Sequence, residues 1–67
     1  MKITYQMLNG TEGTRDFVSS DEFVMLQMRE VPALEDNFKV IKLEIDGEVV
    51  DFTGSIIDLF NKFNQTN

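Results

Sequence analysis

Hydrophobic and polar residues alternate in the first part of the chain, with the period of a β-strand. The sequence KITYQML over 2–8 alternates throughout, and residues 14–18 alternate again around Phe17. Two glycines and an asparagine lie between these runs, in 9–13, a composition that favours a turn. The pattern therefore predicts a first hairpin of two strands.

A second hairpin is predicted over 38–52, where two β-rich runs flank the pair Asp46-Gly47. An Asp-Gly pair suits the positive φ angles of a two-residue type I′ turn. Such a turn places Ile45 opposite Glu48 and defines the partner of every residue before it. The apolar residues that this register brings to the expected core face of the sheet are Ile41, Leu43, Val50 and Phe52.

Two further segments repeat their apolar residues every three or four positions, as amphipathic helices do. Ser19 and Glu22 form a capping-box pattern ahead of the first helix, which we expect to run over 20–30 and to end before Pro32. The second helix is predicted to begin after Ser55, with the sequence IIDLFNKF. The expected inner residues of the first helix are Phe23, Val24 and Met28.

The elements follow in the order ββαββα, which predicts an α+β domain. Two hairpins make a four-stranded, mainly antiparallel sheet, and both helices pack on one face of it. Strand orders 2-1-3-4 and 1-2-3-4 both permit short connections, so the order is left open. We expect a single domain over 1–67 with a frayed tail at 64–67. The similar segments DFVSS and DFTGS fit either a duplication or the shared chemistry of a strand end and a helix cap.

The N-terminal KITY strand, the hairpin that ends in DFTGS and the terminal IIDLFNKF helix resemble a family of short uncharacterised proteins from Gram-positive bacteria. The resemblance covers nearly the whole chain. It implies a small α+β fold and no assigned activity, and no functional residues carry over from it.

Charge and missing residue types narrow the possible functions. Twelve acidic against six basic residues give a net charge of −6 at pH 7, which repels nucleic-acid phosphates and anionic membranes. The chain contains no Cys and no His, so it lacks disulfides, thiolate ligands and the commonest general base. No apolar run approaches the ~20 residues of a membrane span, and no signal-peptide core follows Met1. We therefore expect a cytoplasmic protein that binds neither nucleic acid nor membrane directly.

No motif indicates a catalytic, cofactor-binding or metal site. Three serines lack a histidine partner and are better explained as helix caps: Ser19, Ser20 and Ser55. Four acidic residues of the second hairpin lack the spacing of a calcium-binding loop: Glu44, Asp46, Glu48 and Asp51. We expect no enzyme activity, cofactor or metal, with a serine–lysine pair as the remaining enzymatic alternative.

The sheet face opposite the helices is the best candidate for binding. Alternation places four apolar residues there, which we predict as an interaction face: Val18, Phe38, Val40 and Val49. The partner is another protein or a second copy of the chain, which leaves a monomer or a weak homodimer open. Met25 and Met28 resemble an adaptable partner surface, but we expect Met28 in the core.

Two functional hypotheses follow. The first is a small non-enzymatic protein-interaction or regulatory module. The alternative is an acidic decoy that occupies the site of a basic nucleic-acid-binding protein. Acidic residues occur in the loops, both helices and the hairpin, and this spread favours the module.

Overall fold

The computed structural model of the protein describes residues 1–64. The elements in chain order are β1 Lys2–Gln6, β2 Glu12–Asp16, α1 Ser20–Gln27, β3 Lys39–Ile45, β4 Glu48–Val50, β5 Gly54–Ser55 and α2 Ile56–Phe63. The α+β class and the order ββαββα are confirmed, with β5 as a short additional strand. Asn64 caps α2, and the rest of the predicted frayed tail, 65–67, lies outside the described residues.

Every strand pair in the described part of the chain is antiparallel, and the strand order is β2-β1-β3-β4. This is the first of the two predicted orders. Strand β5 pairs with β3 as well, so β4 and β5 together form one interrupted edge of the sheet. Strands β1 and β3 lie in the centre, where each is hydrogen-bonded on both sides.

The first hairpin turns earlier than the alternation predicts. The N–H of Gly10 donates to the carbonyl of Met7 at 2.9 Å and closes a tight turn. The strand that follows, β2, therefore begins and ends two residues before the predicted range 14–18. Its register is set by the pair of Gln6 and Glu12 next to the turn.

The second hairpin closes through the predicted type I′ turn. Asp46 has a φ of 53° and Gly47 a φ of 81°, the two positive angles that this turn requires. Ile45 lies opposite Glu48, as expected. The predicted register is confirmed as far as Val50, where β4 ends.

The register of β3 shifts halfway along the strand, and this shift changes which residues face the core. Strand β1 pairs Thr4 with Lys42 but Tyr5 with Val40, so Ile41 is an extra residue opposite β1. Val40 is consequently only 4% exposed, whereas Ile41 lies at the surface. The predictions that placed Ile41 on the core face and Val40 on the opposite face are wrong, because strict alternation does not continue through a β-bulge.

The core lies between the sheet and both helices, which confirms that the helices pack on one face. Phe23 joins three elements: its ring meets Phe17 edge-on at 5.3 Å and Phe63 at 6.4 Å between centroids. The buried apolar residues are Ile3, Phe17, Phe23, Leu34, Val40, Leu43, Ile56 and Leu59. Phe52 has no strand partner in the described part of the chain but packs against this core at its margin, with Lys62 Nζ 5.8 Å from its ring centroid.

Ser19 and Ser55 begin the two helices, as the sequence predicts. The N–H of Glu22 donates to Ser19 Oγ at 3.2 Å, while Glu22 Oε1 accepts from the N–H of Val18 at 3.0 Å. At α2, Asp58 Oδ2 accepts from the N–H of Ser55 at 3.0 Å and from its hydroxyl at 3.1 Å. Both helix starts are thus stabilised by local hydrogen bonds and by acids at the positive end of the helix dipole.

Helix α1 ends at Gln27, before the predicted end at residue 30. The side chain of Gln27 is buried, and its Nε2 donates to the carbonyl of Leu34 while its Oε1 accepts from the N–H of Leu34, both at 2.8 Å. Met28 is the C-cap and is exposed, so the prediction that Met28 lies in the core is wrong. The Gln27 amide attaches the connection 28–38 to α1 and satisfies backbone groups that would otherwise be buried without partners.

We expect Gln27→Leu to lower the free energy of unfolding by about 2 kcal/mol, because the buried N–H and C=O of Leu34 lose their partners. Urea denaturation followed by far-UV circular dichroism measures this change. The control is Gln6→Leu, since Gln6 makes one long, exposed hydrogen bond of 3.4 Å and its loss should cost under about 0.5 kcal/mol. Equal losses in the two variants would show that the Gln27 amide contributes no specific stabilisation.

Candidate functional site

The sheet face opposite the helices is charged. Strand pairing aligns Asp16, Lys2 and Glu44 in one row across β2, β1 and β3, with Val49 at its end on β4. Charges of opposite sign alternate along this row, and Lys42 Nζ lies 3.4 Å from Glu44 Oε1. We call this side of the sheet the open face. Its polar character suits contact with water, which antiparallel sheets tolerate on one side.

The predicted interaction face of Val18, Phe38, Val40 and Val49 does not form one surface. Val40 belongs to the core, and Phe38 is half-buried with its ring stacked on Tyr5 at 5.6 Å between centroids. Val18 and Val49 are exposed, at 85% and 65%, but Val18 follows β2 and Val49 lies on β4. Strands β1 and β3 lie between β2 and β4, so three inter-strand steps of ~4.8 Å, about 14 Å in all, separate these two strands. The prediction of a shared apolar face is therefore wrong.

An exposed apolar surface is present instead on α1 and the segment after it. Met25 and Met28 are each 67% exposed, and Val31 is 77% exposed. Met25 and Met28 are three residues apart, so they are neighbours on one side of the helix end. The half-buried side chain of Val24 adjoins them in the sequence. We call Met25, Met28 and Val31 the methionine surface.

The position of the methionine surface follows from a periodicity that the polar character of Gln27 concealed. Phe23 and Gln27 are four residues apart, so a helix that buries Phe23 also turns position 27 inward. Met28 is then rotated by about 100° away from the core. The apolar pattern alone places Met28 on the inner side of the helix. It does not predict that Gln27 is buried there, with both its amide N–H and its amide oxygen hydrogen-bonded to Leu34.

Two of the serines that were candidates for catalysis have structural roles. Ser19 Oγ and the Ser55 hydroxyl belong to helix caps. Residues 1–64 contain no pocket and no group of three or more side chains that could hold a metal. No helix in this range is long and apolar enough to cross a membrane. The lack of enzyme activity stays a prediction.

Comparison with known proteins finds a matching family model and a similar solved structure. A family model described as "Domain of unknown function (DUF4649)" matches residues 1–67. The crystal structure of a conserved domain protein from Streptococcus pneumoniae TIGR4 is similar, with 28% sequence identity and a TM-score of 0.74 over 96% of this chain and 89% of that chain. No curated protein matches the chain. The predicted resemblance to short uncharacterised Gram-positive proteins is confirmed.

Proposed function

We propose that this chain, which belongs to the family described as a domain of unknown function (DUF4649), is a non-enzymatic protein-interaction module. No function is established for the family. The observation that carries the proposal is the methionine surface, where three large apolar side chains are exposed within 25–31. Single exposed apolar residues are ordinary, but three within seven consecutive residues of one segment favour a protein-binding surface.

Methionine suits such a role because its unbranched thioether side chain adopts many conformations and packs against varied shapes. Met25 and Met28 lie at the end of α1, so a partner can cover them without displacing the core residue Phe23 on the inner side of the same helix. The net charge of −6 favours partners that carry basic residues around their binding surface. The binding surface we propose is therefore an apolar centre within an acidic protein.

The acidic-decoy alternative requires carboxylates on one face at a spacing like that of phosphates. The twelve acidic residues are instead distributed over β2, α1, the connection 28–38, the second hairpin and α2. This distribution supports the interaction module over the decoy. We also propose a cytoplasmic location, because a chain without cysteine suits a reducing compartment.

Photo-crosslinking tests this function. A photoreactive amino acid in place of Val31 is expected to capture a partner protein in a lysate of the source organism. The same amino acid in place of Val49, which is exposed on the open face, should not capture that partner. Adding Met25→Lys and Met28→Lys should reduce the crosslinked product at least about tenfold, because two charges then enter an apolar contact.

The double lysine variant should stay folded, since both methionines are exposed and lysine is a comparable helix former. Circular dichroism checks this directly. Leu8→Lys is the matched control, because Leu8 is an equally exposed apolar residue in the first hairpin loop. Identical products from positions 31 and 49, or a crosslink unaffected by the lysines, would contradict the proposed role of the methionine surface.

A further inference from the structure

Strand β2 forms one edge of the sheet, because β1 is its only paired strand within residues 1–64. Hydrogen bonds in an antiparallel pair involve every second residue. The N–H of Phe17 donates to the carbonyl of Met1 at 2.7 Å, and the N–H of Met7 donates to the carbonyl of Thr11 at 2.7 Å. Odd-numbered residues of β2 therefore direct their backbone groups toward β1. The residues that direct their N–H and C=O groups away from the sheet are Glu12, Thr14 and Asp16.

These outward backbone groups are available for pairing. Within residues 1–64, no loop or side chain makes a hydrogen bond to the outward groups of Glu12, Thr14 or Asp16, whereas the next outward N–H, that of Val18, is bonded to Glu22 Oε1. The opposite edge is shorter, since β4 contains three residues and the chain is irregular over 51–53. Edge β2 is thus the longer template for an added strand.

We propose that the outer edge of β2 binds an extended strand of a partner protein that carries two basic side chains. Glu12, Thr14 and Asp16 also place their side chains on the open face, where Asp16, Lys2 and Glu44 alternate in sign across the sheet. A strand added beyond β2 brings one residue directly opposite Asp16 and another opposite Glu12. Lys or Arg opposite Asp16 continues the alternation, and Lys or Arg opposite Glu12 pairs with a carboxylate whose neighbour on β1 is the uncharged Gln6.

A second copy of the chain fits this edge poorly. The antiparallel register that pairs all three outward positions places Thr14 opposite Thr14, with Glu12 opposite Asp16 of the other copy on both sides. Both flanking pairs have like charges, which destabilise facing positions in a sheet. Each copy also carries a net charge of −6. The occupant is therefore a strand of a different protein, with basic residues four positions apart and a β-branched residue midway opposite Thr14.

The test uses a disulfide-cyclised hairpin peptide, because a preorganised strand loses less entropy on binding than a flexible one. Its outer strand carries Lys at two positions four residues apart and Thr midway. In an NMR titration of the full chain, the amide signals of Glu12, Thr14 and Asp16 should shift and their hydrogen exchange should slow. The amides of Gly13 and Arg15 should change little, since they already face β1. A matched peptide with Glu in place of both Lys should bind at least about tenfold more weakly.

Two variants separate strand addition from general attraction. Thr14→Pro removes the central outward N–H but leaves the hydrogen bonds to β1, so peptide binding should be lost. Glu12→Lys with Asp16→Lys should reverse the preference to the Glu peptide, whereas the control Glu48→Lys with Asp51→Lys on the opposite edge should not. This second comparison stands even if the proline variant fails to fold.

Three outcomes would overturn the proposal: no shift of the three outward amides at about 1 mM peptide, equal binding of both peptides, or shifts confined to the methionine surface. None of the edge variants alters Met25 or Met28. The edge and the methionine surface can therefore fail or succeed independently.

Discussion

Phe23→Ala is expected to lower the free energy of unfolding by about 3–5 kcal/mol, the range for a large aromatic side chain removed from a core. Phe23 is 0% exposed, and its ring packs edge-on against Phe17, which directly follows β2, and against Phe63 of α2. The substitution therefore leaves a cavity where three elements meet. Because small domains have a total stability of only about 5–15 kcal/mol, this substitution removes a large part of it. Urea denaturation at 25 °C, with circular dichroism as the readout, measures the change.

The matched control is Met25→Ala, which also introduces alanine into α1. Alanine is the best helix former, and Met25 is exposed, so the free energy of unfolding should change by less than about 0.5 kcal/mol. The difference between their free energies of unfolding therefore reports the loss of buried side-chain packing and not the change in helix propensity. A loss under about 1 kcal/mol for Phe23→Ala would contradict its position at the centre of the core.

Gly54→Ala is expected to cost about 3 kcal/mol, although it adds only one methyl group. Gly54 has a φ of 149°, in the region that favours glycine. A Cβ atom there would also lie 2.9 Å from Asp58 Oδ2 and 3.1 Å from Asp58 Cβ. Backbone strain contributes about 1–3 kcal/mol, and displacement of the Asp58 carboxylate from its hydrogen bonds to Ser55 adds about 1 kcal/mol.

Gly10→Ala is the control for this prediction. Gly10 also has a positive φ, 89°, but among the described residues no atom beyond its two chain neighbours lies within 4 Å of the added Cβ. Only the intrinsic cost of the left-handed conformation applies, about 1 kcal/mol. In an Asp58→Ala background the penalty of Gly54→Ala should fall but not disappear, because the contact at 2.9 Å with the carboxylate is removed while the Cβ of residue 58 remains. Equal penalties at residues 54 and 10 would show that Asp58 does not restrict Gly54.

The features predicted correctly from the sequence depend on residues close together in the chain. The type I′ turn requires two residues that accept a positive φ angle, and Asp46 and Gly47 are next to each other in the sequence. The starts of the helices at Ser19 and Ser55 depend on side chains within three or four residues. The strong apolar period of α2 also defined that helix correctly as Ile56–Phe63. Local chemistry of this kind is readable without the fold.

The candidate surfaces, by contrast, depend on contacts between distant segments. The bulge at Ile41 exists only where β3 pairs with β1, and this pairing turned Val40 into the core and removed the predicted apolar face. Gln27 is buried because its amide meets Leu34 in the following connection, and that contact leaves Met28 at the surface. Neither partner is identified by local periodicity.

The sequence by itself determined the type and order of the elements, the type I′ turn and both helix caps, because each arises from short-range geometry and hydrogen bonding. Only the tertiary structure decided the strand order, and with it the position of β2 at an edge with the outward groups of Glu12, Thr14 and Asp16. Two orders satisfied the same connection lengths. Pairing between distant segments decides which of the two strand orders forms. The surfaces proposed for binding are therefore consequences of long-range contacts.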